Sequence, residues 1–412
     1  MSKTEMPSIR FYGFDNDWEQ RKLGDIVERV VRKNTNNESS LPLTISAQYG
    51  LVDQITYFNN RVASRDVSNY YLVLNGEFAY NKSTSDGFPF GAVKRLDLYE
   101  KGVLSTLYIV FSIKNQSEID SDYLTVFFDT DRWHKGVSER AAEGARNHGL
   151  LNISADDFFD IDIFLPRHKE EQVAIGSYLR HLDHLITLHQ RKFEKLTSVK
   201  KSMLEKMFPQ NGADVPTVRF NGFEKPWQTI HLRDIALEIT RTDKTSEAPI
   251  MMITAANGFI DQSDRYSFNN AGQSLAKYIT LKRGELAYNH GASKLRPYGS
   301  CFALDADEAR IPYVYHCFTI SDHNPYFVSR VLNNKETEKQ LRKLVTSGAR
   351  MDGLLNISYE EYTTASIRLP ERNEQDKIVD YFENLETMID LCWKELDKLQ
   401  SLKKGLLEKM FV

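Results

Sequence analysis

The sequence is poor in several features that would assign a function at once. Its three cysteines, Cys301, Cys317 and Cys392, form no Cys-x-x-Cys pair, which argues against a zinc ribbon or a disulfide framework. No uninterrupted apolar run approaches the roughly 18 residues of a membrane helix. The first residues, MSKTEMPSIRF, contain no apolar core of a secretory signal. We therefore expect a protein of the reducing cytoplasm that does not contact a membrane.

Signatures of catalysis are also missing. There is no GxxxxGK[ST] loop for ATP, and no HExxH or paired Cys/His set for a metal. An amino-methyltransferase needs a tetrapeptide such as [DNS]PP[YFW] to hold a flipped base, and Asn324-Pro325-Tyr326 lacks the second proline. Acidic residues are plentiful, so spacing alone leaves a nuclease triad open. We predict that the chain is not an enzyme and holds no cofactor or metal of its own.

An excess of basic residues is absent as well. The chain has 53 Lys and Arg against 57 Asp and Glu, a formal net charge of −4, whereas a DNA-binding domain is expected to carry a basic surface. If this chain binds DNA, either its basic residues are locally concentrated or a partner makes much of the phosphate contact. The 412 residues, 41% hydrophobic and 27% charged, are typical of a globular protein with two or more domains.

What the sequence does contain is one unit of about two hundred residues present twice. Residues 6–26, MPSIRFYGFDNDWEQRKLGDI, recur at 215–235 as VPTVRFNGFEKPWQTIHLRDI. Four further pairs follow in the same order: 45–54 with 253–262, 76–81 with 284–289, 144–154 with 348–358, and 204–208 with 407–411. Because the shared residues are of structural types and not a charged constellation, the duplication argues against a nuclease.

The first part of each repeat predicts an α+β domain. Short alternating or apolar runs that end at turns indicate strands, and Ser followed three residues later by Asp or Glu indicates a helix start. The strands are predicted at 70–74, 161–165 and 365–369, and the helix starts at Ser154 and Ser358. Trp18 and Trp227 lie among shared apolar residues, so we interpret them as core anchors.

The second part of each repeat predicts a long helix. Apolar residues recur at alternating spacings of four and three, from Ile175 to Met207 and again from Ile378 to Met410, which is a heptad seam. Two such helices in one chain can pair, and a two-fold arrangement of the repeats requires them to be antiparallel. A coiled coil between two chains is the alternative. Lys200 and Lys403 fall at the seam edge, where they can help to set the register.

This plan resembles the specificity subunits of type I restriction-modification systems. The resemblance covers essentially the whole chain and is carried by the R-F-x-G-F…W…L-x-D-I motif, GE[FL]AYN, GxR…GLLNIS and LLEKMF, each present twice. It implies an α+β fold with two similar target recognition domains, two long antiparallel coiled-coil helices and a pseudo-two-fold internal repeat. The corresponding segments are 1–166 and 211–370 for the recognition domains, and 167–210 and 371–412 for the spacer helices.

The resemblance also implies a set of partners. Each recognition domain would read one half of a bipartite, asymmetric site in double-stranded DNA, and the helices would set the gap between the halves. Two modification subunits carrying S-adenosylmethionine would methylate adenine N6, and restriction subunits would use ATP and Mg²⁺ to cleave DNA. A helix from Ile175 to Met207 is about 48 Å long, enough to span one DNA turn of roughly 34–36 Å.

Positions where the two repeats differ inside a shared frame are candidates for base reading. After the shared Ala-Tyr-Asn, the first repeat continues with residues 82–89 and the second with residues 290–297, and both then show an aromatic residue and glycine. Polar and basic side chains here can contact bases or phosphates, and Arg to guanine is the commonest specific contact. The candidates are Asn81, Lys82, Ser83, Thr84, Asn289, His290, Lys294 and Arg296, with Tyr80 and Tyr288 either touching the backbone or simply packing. For any one of them an ordinary solvated surface role is as well supported.

Two further sets of candidates lie at turns. Arg146 and Arg350 occupy equivalent Gly-x-Arg positions, which favours phosphate contact over base reading, although each can equally brace its own turn. Gln48 and Tyr49 correspond to Ala256 and Asn257, and the amides of Gln48 and Asn257 can pair with adenine.

Two other classes of function remain open. A tandem-domain scaffold that assembles proteins without reading DNA would suit the net acidity. A stand-alone sequence reader serving a fused methyltransferase-nuclease is a further alternative, although two complete long helices favour a separate subunit.

Overall fold

The computed structural model describes residues 4–46, 49–85, 87–141, 149–265, 272–345 and 355–412. These residues form two compact units, one made of Met1–Arg191 with Trp393–Val412 and the other of Lys192–Cys392. Each unit therefore combines a globular α+β part with a portion of both long helices. The sequence predicted four segments, two domains and two separate helices. That division stays a prediction, because each compact unit contains a globular part together with portions of both helices.

The first unit contains the first copy of the fold. Its strands are β1 (Thr4–Glu5), β2 (Trp18–Lys22), β3 (Val27–Arg29), β4 (Leu43–Ser46), β5 (Gly50–Asp53), β6 (Tyr71–Leu74), β7 (Phe78–Asn81), β8 (Ala92–Arg95), β9 (Lys101–Leu104), β10 (Ile109–Ile113) and β11 (Asp162–Leu165). Its short helices are α1 (Leu23–Ile26), α2 (Gln54–Phe58), α3 (Ser121–Phe127), α4 (His134–Arg140) and α5 (Ala155–Phe159). The sheets have the orders β1-β2-β11, β3-β10-β7-β8, β4-β5 and β6-β9.

The second unit repeats this topology. Its strands are β12 (Gln228–His231), β13 (Ala236–Glu238), β14 (Met251–Thr254), β15 (Gly258–Asp261), β16 (Ile279–Lys282), β17 (Leu286–Asn289), β18 (Ser300–Ala303), β19 (Glu308–Ile311), β20 (His316–Ile320) and β21 (Ser366–Leu369). Its helices are α7 (Pro325–Leu332), α8 (Lys335–Leu344) and α9 (Tyr359–Thr363), with 3-10 turns at Leu232–Asp234, Gln262–Asp264 and Gly272–Lys277. The sheets β13-β20-β17-β18, β12-β21, β14-β15 and β16-β19 correspond to those of the first unit, except that within the described residues β12-β21 has no third strand equivalent to β1.

Local sequence signals account for several of these elements. Ser154 accepts a hydrogen bond from the backbone of Asp157 and Ser358 from that of Glu361, which completes the two capping boxes at the starts of α5 and α9. The alternating runs before Pro166 and Pro370 form β11 and β21. The strand before Asn75-Gly76 is β6.

The long helices are α6 (Lys169–Lys206) and α10 (Arg372–Met410). Each buries the first positions of its seam against its own globular domain, for example Ile175 and Leu179 on α6 and Ile378 and Phe382 on α10. Within each unit the two helices run antiparallel, since the start of one lies beside the end of the other. The prediction of two long antiparallel helices is confirmed.

The shared tryptophans are core residues, as predicted. Trp18 is 0% exposed and packs edge-on against Phe411 at the end of α10. In the second unit Trp227 is 3% exposed and packs in the same way against Phe208, just beyond the end of α6. The end of one long helix therefore closes the core of each globular domain. Among the described residues, no helix is long and apolar enough to cross a membrane.

Candidate nucleic-acid interface

The variable loop of each domain connects two neighbouring strands of the central sheet, β7 to β8 in the first unit and β17 to β18 in the second. At the end of each loop a glycine with positive φ, Gly91 or Gly299, lies so close to the preceding strand that a Cβ atom would be 2.1 or 2.6 Å from the carbonyl oxygen of Asn81 or Asn289. Only glycine fits such an approach. The aromatic-Gly pair therefore closes a loop whose ends are held in the same way in both halves.

The shared tyrosines belong to this frame and not to a contact surface. Tyr80 and Tyr288 are 0% and 1% exposed, and each phenol donates a hydrogen bond to the carbonyl of the aromatic residue ten positions on, Phe90 at 2.8 Å and Tyr298 at 2.7 Å. Burial raises the pKa of both phenols and keeps them neutral donors. The sequence left two roles open for these tyrosines, packing and contact with the DNA backbone. The structure shows packing and so corrects the prediction of a DNA contact.

The shared asparagines turn the chain out of the strand. The side-chain oxygen of Asn81 accepts from the backbone of Ser83 at 3.0 Å, and that of Asn289 accepts from the backbone of Gly291 at 2.9 Å. Such Asx turns occupy the amide oxygen locally. The amide nitrogen of Asn289 donates to the carbonyl of Ile253, so Asn289 is engaged at both ends.

In the first variable loop, Ser83 faces solvent while its neighbours brace the loop. Thr84 donates to the carbonyl of Gly149 through its backbone at 2.7 Å and its hydroxyl at 3.1 Å. The Lys82 ammonium donates to the carbonyl of Ile153 at 3.3 Å and stays half-buried. Lys82 can still offer its remaining protons to an anion, since an ammonium carries three donors.

In the second variable loop, fewer of the residues predicted to contact DNA are exposed to solvent than we expected from the sequence. His290 is buried, and its two ring nitrogens lie 2.9 Å from the Leu355 carbonyl and 2.6 Å from the Val314 carbonyl, so its role as a DNA contact is corrected to that of an internal brace. Arg296 is half-buried and donates to the Asn333 carbonyl beside α8, with burial lowering the pKa of its guanidinium. Arg296 therefore anchors the loop, which leaves the exposed Lys294 as its basic tip.

The hairpin turns place one candidate of each half in solvent. Tyr49 is 58% exposed between β4 and β5, and Asn257 is exposed between β14 and β15. The backbones of both turns are tied to a hydroxyl, that of Ser46 in the first and that of Thr254 in the second. Gln48, Arg146 and Arg350 lie outside the described residues.

Sequence reasoning missed an exposed aromatic group in the first domain. Helix α2 follows the β4-β5 hairpin directly and exposes Tyr57 by 49% and Phe58 by 50%, with their rings 5.0 Å apart. Aromatic side chains with such exposure are enriched at binding surfaces. Two adjacent aromatic residues in an otherwise polar stretch right after a variable hairpin were the signal that could have found them.

A second missed feature explains the R-F-x-G-F motif. Arg10 binds the carboxylate of Glu171, at the start of α6, through two nitrogens at 2.5 and 2.7 Å. Arg219 binds Glu374, at the start of α10, at 2.7 Å through both. Both glutamates are 0% exposed, and a bidentate pair is the form in which a buried carboxylate is best compensated. The motif therefore attaches each domain to the first turn of its long helix.

The described residues offer no reacting centre at these loops. No group of three or more His, Cys, Asp or Glu side chains among them could hold a metal ion. Cys301 and Cys317 are buried, and burial raises the pKa of the Cys301 thiol to about 12, which leaves no thiolate nucleophile. The exposed groups of these loops are suited to hydrogen bonding and to charge pairing.

Comparison with known proteins agrees with this plan. The chain is 23% identical over 424 residues to the Type I restriction enzyme MjaVIII specificity subunit of Methanocaldococcus jannaschii, covering 95% of this chain and 91% of that protein. A putative type I restriction enzyme MjaX specificity subunit of the same organism is 25% identical over 218 residues, which is 50% of this chain and 48% of that protein.

A solved structure shares the fold. The crystal structure of a type I restriction-modification system S subunit from M. genitalium superposes with a TM-score of 0.56 at 13% identity, over 99% of both chains. No family model matches the chain.

Proposed function

We propose that this chain, a non-catalytic specificity subunit of the type I restriction-modification family, reads two different half-sites in double-stranded DNA, one with each globular domain. The family assignment draws on similarity along nearly the whole chain and on the shared fold. We infer that the two exposed loop tips and hairpin turns are the parts that meet base edges and phosphates.

The observation that carries this proposal is a repeated frame that holds unlike loops. Tyr80 with Gly91 and Tyr288 with Gly299 hold the loop ends in the same way. Inside the frame, the first loop presents Ser83 and Lys82, whereas the second presents Lys294. A constant frame with changed polar contents supports the reading of two different base sequences, because base contacts specify and backbone contacts position.

The long helices would set the gap between the half-sites. A helix of 38 residues such as α6 is about 57 Å long at about 1.5 Å per residue, and a paired second helix resists bending. A stiff connector of this kind suits a bipartite site with a fixed spacer.

The partners belong to the same proposal. Two modification subunits carrying S-adenosylmethionine would bind this chain and methylate adenine N6, and restriction subunits using ATP and Mg²⁺ would join them in the cytoplasm. The formal net charge of −4 supports a division of labour in which the modification subunits make many of the phosphate contacts.

The test is a genome-wide map of N6-methyladenine in cells that express the chain with its modification subunit, compared with cells that lack the chain. A new motif of two short half-sites with a fixed gap is the expected result. Absence of any new motif, with the modification subunit shown to be bound to the chain, would transfer support to the scaffold alternative.

Exchange of one loop sharpens that experiment. Replacing residues 82–88 by the corresponding loop of another specificity subunit should change one half of the methylated motif and leave the other half as it was. The matched control is the equivalent exchange of residues 290–296, which should change the opposite half. A motif unaltered by either exchange would show that these loops do not read DNA.

A further inference from the structure

Four charged side chains form a compact cluster in the first unit. Lys403 on α10 contacts Asp183 on α6 at 2.6 Å and Asp129, two residues beyond α3, at 3.2 Å. Asp129 also accepts from Lys94 on β8 at 2.6 Å. The side chains are 17–30% exposed, so these charges are screened less than they would be on open surface. We name Lys94, Asp129, Asp183 and Lys403 the first cluster.

The second unit contains a corresponding second cluster, made of Lys200, Arg330 and Glu386. Lys200 on α6 contacts Glu386 on α10 at 2.9 Å, and Arg330 on α7 donates to both carboxylate oxygens of Glu386 at 3.0 Å. The guanidinium of Arg330 also lies 5.1 Å from the ring centre of Phe382. Each cluster thus joins both long helices to one globular domain.

The helix members of the two clusters are equivalent by the internal repeat. Asp183 and Glu386 directly follow the equivalent seam residues Leu182 and Leu385, and Lys200 and Lys403 occupy the same later seam position. The number of residues that separate Asp183 from Lys200 on α6 equals the number that separates Glu386 from Lys403 on α10. The same antiparallel register of α6 against α10 can therefore place Asp183 beside Lys403 and Lys200 beside Glu386.

The domain members of the clusters have opposite charge. The first domain contributes the carboxylate of Asp129 to a lysine, whereas the second contributes the guanidinium of Arg330 to a glutamate. The N-caps of α3 and α7, Asp120 and Asn324, are equivalent, because the backbone N–H of each donates to a glutamine near the start of a long helix. Aligning the two helices through these N-caps places Val126 opposite Arg330 and Asn333 opposite Asp129.

Neither counterpart carries a charge: Val126 is 0% exposed, and half-buried Asn333 accepts a hydrogen bond from the backbone of Cys301 at 3.1 Å. Each domain therefore has an uncharged residue at the position where the other has its charge. The two domains use different surface positions to reach the same pair of helices.

We propose that Lys403 and Glu386 are positioning residues that hold the first and the second recognition domain to the paired helices through contacts of opposite polarity. Each domain then matches only its own attachment site. A first domain placed in the second position would bring the uncharged Val126 towards Glu386 in place of Arg330.

The ionisation of the first cluster agrees with such a role. Burial by itself disfavours the charged forms, yet Lys94 and Lys403 bring the pKa of Asp129 below its ordinary value. The carboxylates of Asp129 and Asp183 likewise raise the pKa of Lys403 above its ordinary value, against the effect of burial. The cluster therefore keeps its charges across the ordinary pH range.

The test reverses the helix pair and follows amide hydrogen exchange of the full chain by mass spectrometry. In D183K/K403E the two helices still attract each other, but the carboxylate introduced at position 403 now faces Asp129. We expect amides of α3 and β8 to exchange at least about threefold faster, while α7 and β18 stay unchanged. The mirror variant K200E/E386K places an ammonium group against Arg330 and should accelerate α7 and β18 only.

The decisive measurement is whether a conservative second substitution speeds or slows amide exchange in each background. D129N should accelerate exchange in the wild-type background, where it removes an attraction, and slow it in D183K/K403E, where it removes a repulsion. R330Q should show the same reversal with K200E/E386K. Effects of equal sign in both backgrounds would overturn the proposal, because a purely structural role of Asp129 or Arg330 predicts no reversal.

If a reversed pair prevents folding, the cycle D129N, K403Q and D129N/K403Q answers the same question, and strictly additive effects would overturn the proposal. The inference rests on the proposed function only in calling the domains recognition domains. Hydrogen exchange requires no DNA. If the exchange experiment overturns the attachment proposal, the methylation map still tests the proposed function. If no methylated motif is found, the exchange experiment still tests the attachment proposal.

Discussion

At the residue scale, the two variable loops show that a polar side chain predicted to contact DNA can instead brace its own loop. His290 and Arg296 both satisfy backbone carbonyls, whereas Lys294 points its charge into solvent from the same loop. The distinction matters because a bracing residue acts on stability and a contacting residue acts on binding.

Comparing two neighbouring substitutions tests this distinction. K294A should leave the melting temperature unchanged and lower the slope of log affinity against log salt by about 1 in the assembled complex, as expected for a lost phosphate contact. R296A should lower the stability of the second domain by about 1 kcal/mol through the lost hydrogen bond to Asn333. Fluorescence anisotropy at several salt concentrations and thermal denaturation measure the two effects. Unaltered DNA binding of K294A at every salt concentration would rule out this contact.

Acid should destabilise the second domain through His316. Burial lowers the pKa of His316, despite an opposing contribution from the Ile357 carbonyl, so its neutral form is favoured in the folded state. That stability is complete above the ordinary pKa of 6.5 and is lost as pH falls through the lower folded value. In the first domain the equivalent position beside the shared tyrosine is Ile109.

The substitution H316I places in the second domain the isoleucine that the first domain has at the equivalent position. The drop in melting temperature between about pH 7.5 and about pH 5.5 should be smaller in H316I than in the wild type. An unchanged difference would show that His316 is not the acid-sensitive group.

At the scale of single elements, each globular domain is attached to the start of its long helix by a buried Arg-Glu pair. Neither arginine could be understood from the R-F-x-G-F motif alone, since its partner lies more than a hundred and fifty positions away, at Glu171 for Arg10 and at Glu374 for Arg219. The contact between the arginine and the glutamate explains why both are present in each half.

Removing one partner of this pair should be costly. E171Q leaves the Arg10 guanidinium largely buried without its counter-charge, and we expect the free energy of unfolding to fall by about 3 kcal/mol. The matched control is K22A, which removes an ion pair to Asp162 whose side chains are 40% and 43% exposed and should cost less than about 1 kcal/mol. Equal losses in urea denaturation of the two variants would contradict the assignment.

At the scale of the whole molecule, the proposed function requires the two unlike domains to read the two halves of an asymmetric site at a distance set by the long helices. Deleting one heptad from α6 and one from α10 preserves the seam and shortens each helix by about 10 Å, which corresponds to about three base pairs. We expect the methylated motif to keep both half-sites and to lose about three base pairs from its gap.

The control for that deletion removes a heptad from α6 alone. It shifts the register of Lys200 against Glu386 and should abolish assembly instead of shortening the gap. A spacer of unchanged length in the double deletion would show that the helices do not measure the distance.

Several features can be predicted from the amino-acid sequence alone: the repeat, the strands that end at Pro166 and Pro370, the capping boxes and the two long helices. These depend on local spacing and on residues adjacent in the chain, so they can be read without coordinates. The roles of Trp18 and Trp227 as core anchors followed from their shared apolar neighbours.

Whether a loop residue faces solvent or forms an internal hydrogen bond depends on how the whole domain packs. His290 and Arg296 differ from Lys294 because distant carbonyls, of Leu355, Val314 and Asn333, happen to lie within hydrogen-bond distance. The same holds for the first and second clusters, whose members come from four and three separate segments of the chain. Hydrogen bonds and ion pairs between remote segments depend on how the elements pack, and no local pattern of residues encodes that packing.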